Sequence, residues 1–116
     1  MLDDTNLTKD AHHMLVALYS SYRAKIAEGK SRRDAVIFGG AKDLHKTYFK
    51  NEHLADVEDW VRELHRNGFI DVPIYADGSP KIVIIKSETI AYMEKLPENK
   101  LKQYLDTVGG IINFFG

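Results

Sequence analysis

A mainly α-helical domain carrying one β-hairpin is the fold class this sequence predicts, and three observations predict it. Apolar residues recur at three- and four-residue spacing from Asp10 to Glu28, the tightest such spacing runs from Leu54 to Leu64, and two Ile- and Val-rich runs flank Asp77-Gly78. The size suits one compact unit. With 116 residues, 44% of them apolar and 28% charged, the chain is long enough to bury a core without help from a disulfide or a metal. It has no cysteine, which excludes disulfide scaffolds, thiolate metal sites and cysteine nucleophiles together.

The first helix is expected from Asp10 to Glu28, with Ala11, Met14, Leu15, Leu18, Tyr22 and Ile26 on one stripe. Thr8 suits its N-cap, and Gly29 tolerates the positive φ that ends many helices. Ser31 and Asp34 form a capping-box-like pair ahead of Ala35, Val36, Ile37 and Phe38, which predicts a short second helix broken at Gly39-Gly40. From Ala41 to Phe49 a brief helix turns Leu44, Tyr48 and Phe49 inward. The next helix carries Leu54, Val57, Val61 and Leu64, with Trp60 beside them on the apolar arc and expected to be largely buried, and Asn67-Gly68 closes it.

Phe69 to Tyr75 and Lys81 to Lys86 then read as two strands, and Asp77-Gly78 between them is a strong hairpin-turn pair. Pro73 has no N–H to donate, so the first strand lies at an edge or is interrupted there. Ser87 is expected to cap a helix through Ile90, Ala91, Tyr92 and Met93 that stops near Pro97. Finally Leu101, Leu105, Val108, Ile112 and Phe115 make one apolar stripe, widened by Tyr104, Ile111 and Phe114. The expected organisation is a domain over 1–96 followed by an amphipathic helix over 97–116. That helix either belongs to the same compact unit, packed on the first helix, or forms the contact of a homodimer.

This order of elements resembles a winged helix-turn-helix with a C-terminal helical extension. In that layout Ala41 to Phe49 is the first helix of the helix-turn-helix, Leu54 to Arg66 stands at the recognition position, and Tyr75 to Lys81 forms the tip of the wing. More narrowly, the chain resembles a family of small bacterial and prophage proteins of unknown role with YjcQ-type winged helices. The residues that carry the likeness are Phe38-Gly39, Leu44, Phe49, Asp56-Val57, Glu63-Leu64, Arg66-Asn67-Gly68-Phe69, Tyr75-Ala76-Asp77 and Ile90-Ala91-Tyr92-Met93-Glu94. The resemblance implies a fold and brings no activity, cofactor or catalytic residue with it.

The chemistry-bearing residues point away from catalysis. His12, His13, His45, His53 and His65 show no metal-ligand spacing, so no metal is expected. Gly29-Lys30-Ser31 copies the end of a phosphate-binding loop, but Ala24 stands where that loop needs glycine and a helix precedes it instead of a strand. Gly39-Gly40 lacks the third glycine of a dinucleotide fingerprint, so no cofactor is expected either. Asp56, Glu58, Asp59 and Glu63 read as a solvated helix face, and no nucleophile–base arrangement can be drawn, which predicts a protein that is not an enzyme.

Charge placement bears more directly on partners. The net charge is −1, so attraction to a polyanion has to come from a local patch. Two such patches exist: Arg23, Lys25, Lys30, Arg32 and Arg33 around the end of the first helix, and Lys42, Lys46 and Lys50 on one face of the third. Both suit phosphates, which makes duplex DNA one expected partner and transcription regulation, as a homodimer, the expected role. The recognition position speaks for a protein partner instead. From Asn51 to Arg66 it carries Glu52, Asp56, Glu58, Asp59 and Glu63 against Arg62 and Arg66, a net −3, and acids are repelled between the phosphate rows of a groove. Under that alternative Asp56, Asp59 and Glu63 face a basic protein, and Leu105, Val108, Ile112 and Phe115 serve the dimer. The start Met-Leu-Asp-Asp has no apolar leader, and no run reaches the roughly 18 residues of a membrane span, so a cytoplasmic protein is expected.

Overall fold

The computed structural model describes residues 7–100, 102 and 103. They form a mainly helical chain with a small antiparallel sheet. Helix α1 (Lys9–Ala27) opens on Thr8, whose side chain accepts from the Ala11 N–H, and closes before Gly29, whose φ of 92° is left-handed. The buried set on α1 is wider than one stripe. Met14, Leu15, Val16, Ala17, Leu18 and Tyr19 are all buried in succession, so α1 is the central element, covered around its circumference. Its C-terminal end runs out of that cover, which is why Ile26, expected on the inward stripe, is 40% exposed.

Ser31 caps α2 (Arg32–Ala35) by accepting from the Asp34 N–H, as the capping-box spacing predicts. The expected continuation of this helix through Phe38 is not what forms. Residues Ile37–Gly39 make strand β1, paired antiparallel with β5 (Ile82–Ile85) in the register Ile37↔Ile84, Phe38↔Val83 and Gly39↔Ile82. The physical reason is tertiary: a β-branched, apolar run gains a ladder and a buried Phe38 by lying on β5, which a second helical turn would forgo.

Helix α3 (Ala41–Tyr48) starts at Gly40, whose N–H donates to Asp43 Oδ2 at 3.0 Å, and buries Ala41 and Leu44. Helix α4 (Leu54–Arg66) buries Val57, Val61 and Leu64 and ends at Asn67-Gly68, with Gly68 at φ 81°. Trp60 is half-buried, not largely buried as expected; it sits on the flank of the apolar arc, edge-on to Phe49 with ring centroids 5.6 Å apart.

The hairpin forms in two ladders. β2 (Ile70–Asp71) pairs with β5, giving a three-stranded sheet in the order β1-β5-β2, while β3 (Tyr75–Ala76) pairs with β4 (Ser79–Pro80). Between them Val72, Pro73 and Ile74 interrupt the ladder, as the missing N–H of Pro73 requires. The register survives the gap: Ile74 O accepts from the Lys81 N–H at 2.9 Å. Asp77 and Gly78, at φ 54° and 76°, make the two-residue turn with both residues left-handed that Asp-Gly favours.

Helix α5 (Ser87–Glu94) has Lys86, not Ser87, at its N-cap, and no side chain caps it. The hydroxyl that does bond here is Thr89 Oγ1, which donates to Phe69 O at 2.7 Å and ties α5 to the start of β2. A further helical stretch covers 98–100 and 102–103. The core draws Met14, Leu15 and Leu18 of α1, Val57, Val61 and Leu64 of α4, Ile70, Val83 and Ile85 of the sheet, and Ile90 and Met93 of α5 into one buried cluster.

Candidate functional site

The outer face of α4 is the most organised surface among the described residues. It lies between two supports. On one side Glu63 takes both the N–H (2.5 Å) and the hydroxyl (2.9 Å) of Thr8, so its carboxylate joins α4 to the start of α1. On the other side the tip of the hairpin leans on the helix. Arg62 donates from Nη2 to Gly78 O at 2.6 Å and from Nη1 to Asp59 Oδ1 at 3.0 Å, and His65 Nδ1 lies 3.3 Å from the Tyr75 hydroxyl. Between these supports Asp56 and Asp59 are exposed, the Asp59 carboxylate with 72% of its side chain in solvent even though it pairs with Arg62. Ile74 and Tyr75 of the tip are exposed as well, at 48% and 44%.

Of the residues expected to meet a basic protein, Asp56 and Asp59 therefore share one open acidic face. Glu63 flanks it and is engaged with Thr8. The sequence shows the Asp59–Arg62 pair through its i, i+3 spacing. It carries no sign of the Arg62–Gly78 and Thr8–Glu63 bonds, because each joins residues brought close only by the fold.

The basic residues divide into three places. Lys42, Lys46 and Lys50 are exposed on or just after α3, with no acidic side chain within 4 Å among the described residues. Arg32 and Arg33 line an open cleft of about 640 Å³ together with Lys86, Asp71, Ser87 and Glu88, where Lys86 Nζ is 3.7 Å from Asp71 Oδ1. Arg23 and Lys30 are exposed near the end of α1. Lys25 differs from these. Its Nζ sits 3.8 Å above the Phe38 ring centroid and donates to Ile37 O at 3.2 Å. Burial, with the charge of Lys30 adding and Glu28 opposing, holds this ammonium below its ordinary value. Lys25 is thus built into the α1–β1 junction and does not reach outward with its neighbours. Of the five basic residues of the 23–33 cluster, Arg23, Lys30, Arg32 and Arg33 are exposed and Lys25 is engaged.

Leu105, Val108, Ile112 and Phe115 lie outside the described residues. Of the histidines, His12 and His13 have ring centroids 6.2 Å apart, His45 Nε2 is 2.8 Å from Glu52 O, and His65 is the neighbour of Tyr75. Among the described residues no group of three or more His, Cys, Asp or Glu comes together to hold a metal ion, and no helix is long and apolar enough to cross a membrane. Compared with protein-family models, curated proteins and solved structures, the chain matches none.

Proposed function

We propose that this chain is a non-enzymatic winged-helix module of the regulatory kind that takes a basic segment of a protein partner on the acidic face of α4. The order of two helices, a strand, two further helices and a hairpin, with β1 closing the sheet beside β5, supports the winged-helix reading. One observation carries the choice of partner. Arg62, the arginine best placed to neutralise this face, is held by Asp59 and by the Gly78 carbonyl, while Asp56 and Asp59 stay exposed. A helix of this kind entering the major groove would bring two carboxylates between the phosphate rows.

A second reading has its own observation: Lys42 and Lys46 on α3 and Lys50 two residues past its end are exposed without acidic partners, and they suit the backbone of duplex DNA. Under that reading DNA is gripped through its phosphates by α3, and α4 does not read bases.

Binding of an oligolysine peptide and of a random DNA duplex, each titrated with salt, tests the two together. The protein-partner reading expects measurable peptide binding that Asp56→Lys with Asp59→Lys abolishes, and no duplex binding at low salt. Duplex binding with a steep log–log salt slope, reduced by about 3 in a Lys42→Glu, Lys46→Glu, Lys50→Glu variant, replaces it with the second reading. Peptide binding that the Asp56 and Asp59 changes leave intact overturns the assignment of the face.

A further inference from the structure

The sheet β1-β5-β2 has an outer face of its own. Phe38, Ile70, Val83 and Ile85 turn inward and are buried, so by alternation Ile37, Ile82, Ile84 and Asp71 turn outward. An antiparallel sheet with one side in solvent ordinarily alternates apolar and polar residues. β5 does not: it reads Ile-Val-Ile-Ile, and the register sets Ile37 opposite Ile84, which stands opposite Asp71, in one row across the three strands. Ile37 is 43% exposed, and Ile82 and Ile84 are half-buried. The outer face is thus aliphatic where water favours polar side chains.

Charge surrounds this floor unevenly. Ile84 lines the open cleft of about 640 Å³ together with Arg32 and Arg33 of α2 and with Lys86 and Glu88 at the start of α5. The acids of the cleft are accounted for: Asp71 Oδ1 lies 3.7 Å from Lys86 Nζ, and Glu88 stands in the first turn of α5, where the helix dipole favours a carboxylate. The arginines are not. Arg32 and Arg33 are exposed, and among the described residues no carboxylate lies within 4 Å of either guanidinium. We infer that this face docks an acidic segment of a partner protein, which lays an aliphatic side chain on Ile37 and Ile84 and gives its carboxylates to Arg32 and Arg33.

The lining favours such a segment over a nucleic acid. No aromatic side chain lines the cleft, so an unpaired base finds nothing to stack on, and Asp71 and Glu88 stand against a continuous row of phosphates. Separate carboxylates can meet the two guanidinium groups without approaching those acids, each through the paired N–H bonds that arginine offers. An aliphatic centre with arginine at its border is also the usual composition of a protein–protein contact.

Amide chemical-shift mapping of the full chain with the peptide Glu-Glu-Ile-Leu-Glu-Glu tests the assignment. The expected shifts fall in α2, β1 and β5 and leave Asp56 and Asp59 of α4 unmoved. Arg32→Glu with Arg33→Glu, and separately Ile37→Thr with Ile84→Thr, should each raise the peptide Kd about tenfold. Both arginines are exposed, so the first variant keeps the fold, and threonine keeps the β-branch that suits a strand in the second. An absence of shifts at peptide concentrations on the order of millimolar overturns the inference. Equal shifts with oligoglutamate overturn it too, by leaving the aliphatic floor without a role. So does a random DNA duplex that moves the same resonances until the arginines are replaced, and so do shifts that grow with protein concentration alone, which assign the face to a second copy.

Discussion

Trp60 occupies the margin of α4's apolar arc, half-buried, its ring at 75° to that of Phe49. Its emission is expected between those of a buried indole and a free one. An edge-on aromatic pair adds about 0.5–1.5 kcal/mol beyond its buried area, and a half-buried ring loses less on truncation than the roughly 3–5 kcal/mol of a core aromatic. Trp60→Ala should therefore lower stability by about 1–3 kcal/mol in urea unfolding. A loss beyond that range would mean that the ring is covered on both faces. Glu63 makes the same point about polar groups. Its position in the sequence marks it as one more acid on a charged helix, yet its two oxygens are occupied by the backbone and hydroxyl of Thr8.

In α1 the consequences of burial extend to pH. Burial holds His13 below its ordinary value, Lys9 pushes the same way and Asp10 opposes them. The unfolded chain then binds this proton more tightly than the folded one. Stability contributed at this site is complete above about pH 6.5 and falls as pH drops through the folded value. Replacing His13 by Gln should flatten the pH dependence of the urea midpoint between pH 5 and 7 relative to the natural chain; equal slopes would place His13 in an environment no different from water. The elements themselves were legible to different degrees. Caps and period show α1, α3 and α4 directly, because Thr8, Gly29 and Asn67-Gly68 act on neighbours in sequence. β1 was hidden behind the Ser31 capping pair, since what makes Ile37–Gly39 a strand is β5, far along the chain. The acidic face of α4 could be read from composition alone. The engagement of Arg62 could not, for it depends on where the hairpin tip comes to rest.

At the scale of the molecule, the start of α3 lies against the hairpin backbone at Gly40. A Cβ there would collide with the Pro80 carbonyl oxygen and lie 2.7 Å from Lys81 Cα, both backbone atoms that cannot swing aside. The φ of −78° at Gly40 is ordinary, so the requirement for glycine is one of space. Gly40→Ala should cost about 1–3 kcal/mol, as overpacking does, and move the amide resonances of Ser79 to Lys81. A variant of natural stability with unmoved resonances would show that α3 and the hairpin are not in contact. The sheet that this junction anchors ends in open strands on both sides, and such edges recruit further strands from other molecules. Here neither invites addition. β2 stops after two residues, ahead of a proline with no N–H to offer, and β1 is three residues long with Lys25 lying across it, its ammonium on the Ile37 carbonyl that an incoming strand would need. An intruding chain would have to displace that cation from Phe38 and bury it or expel it, so the lysine blocks this edge of the sheet to strand addition.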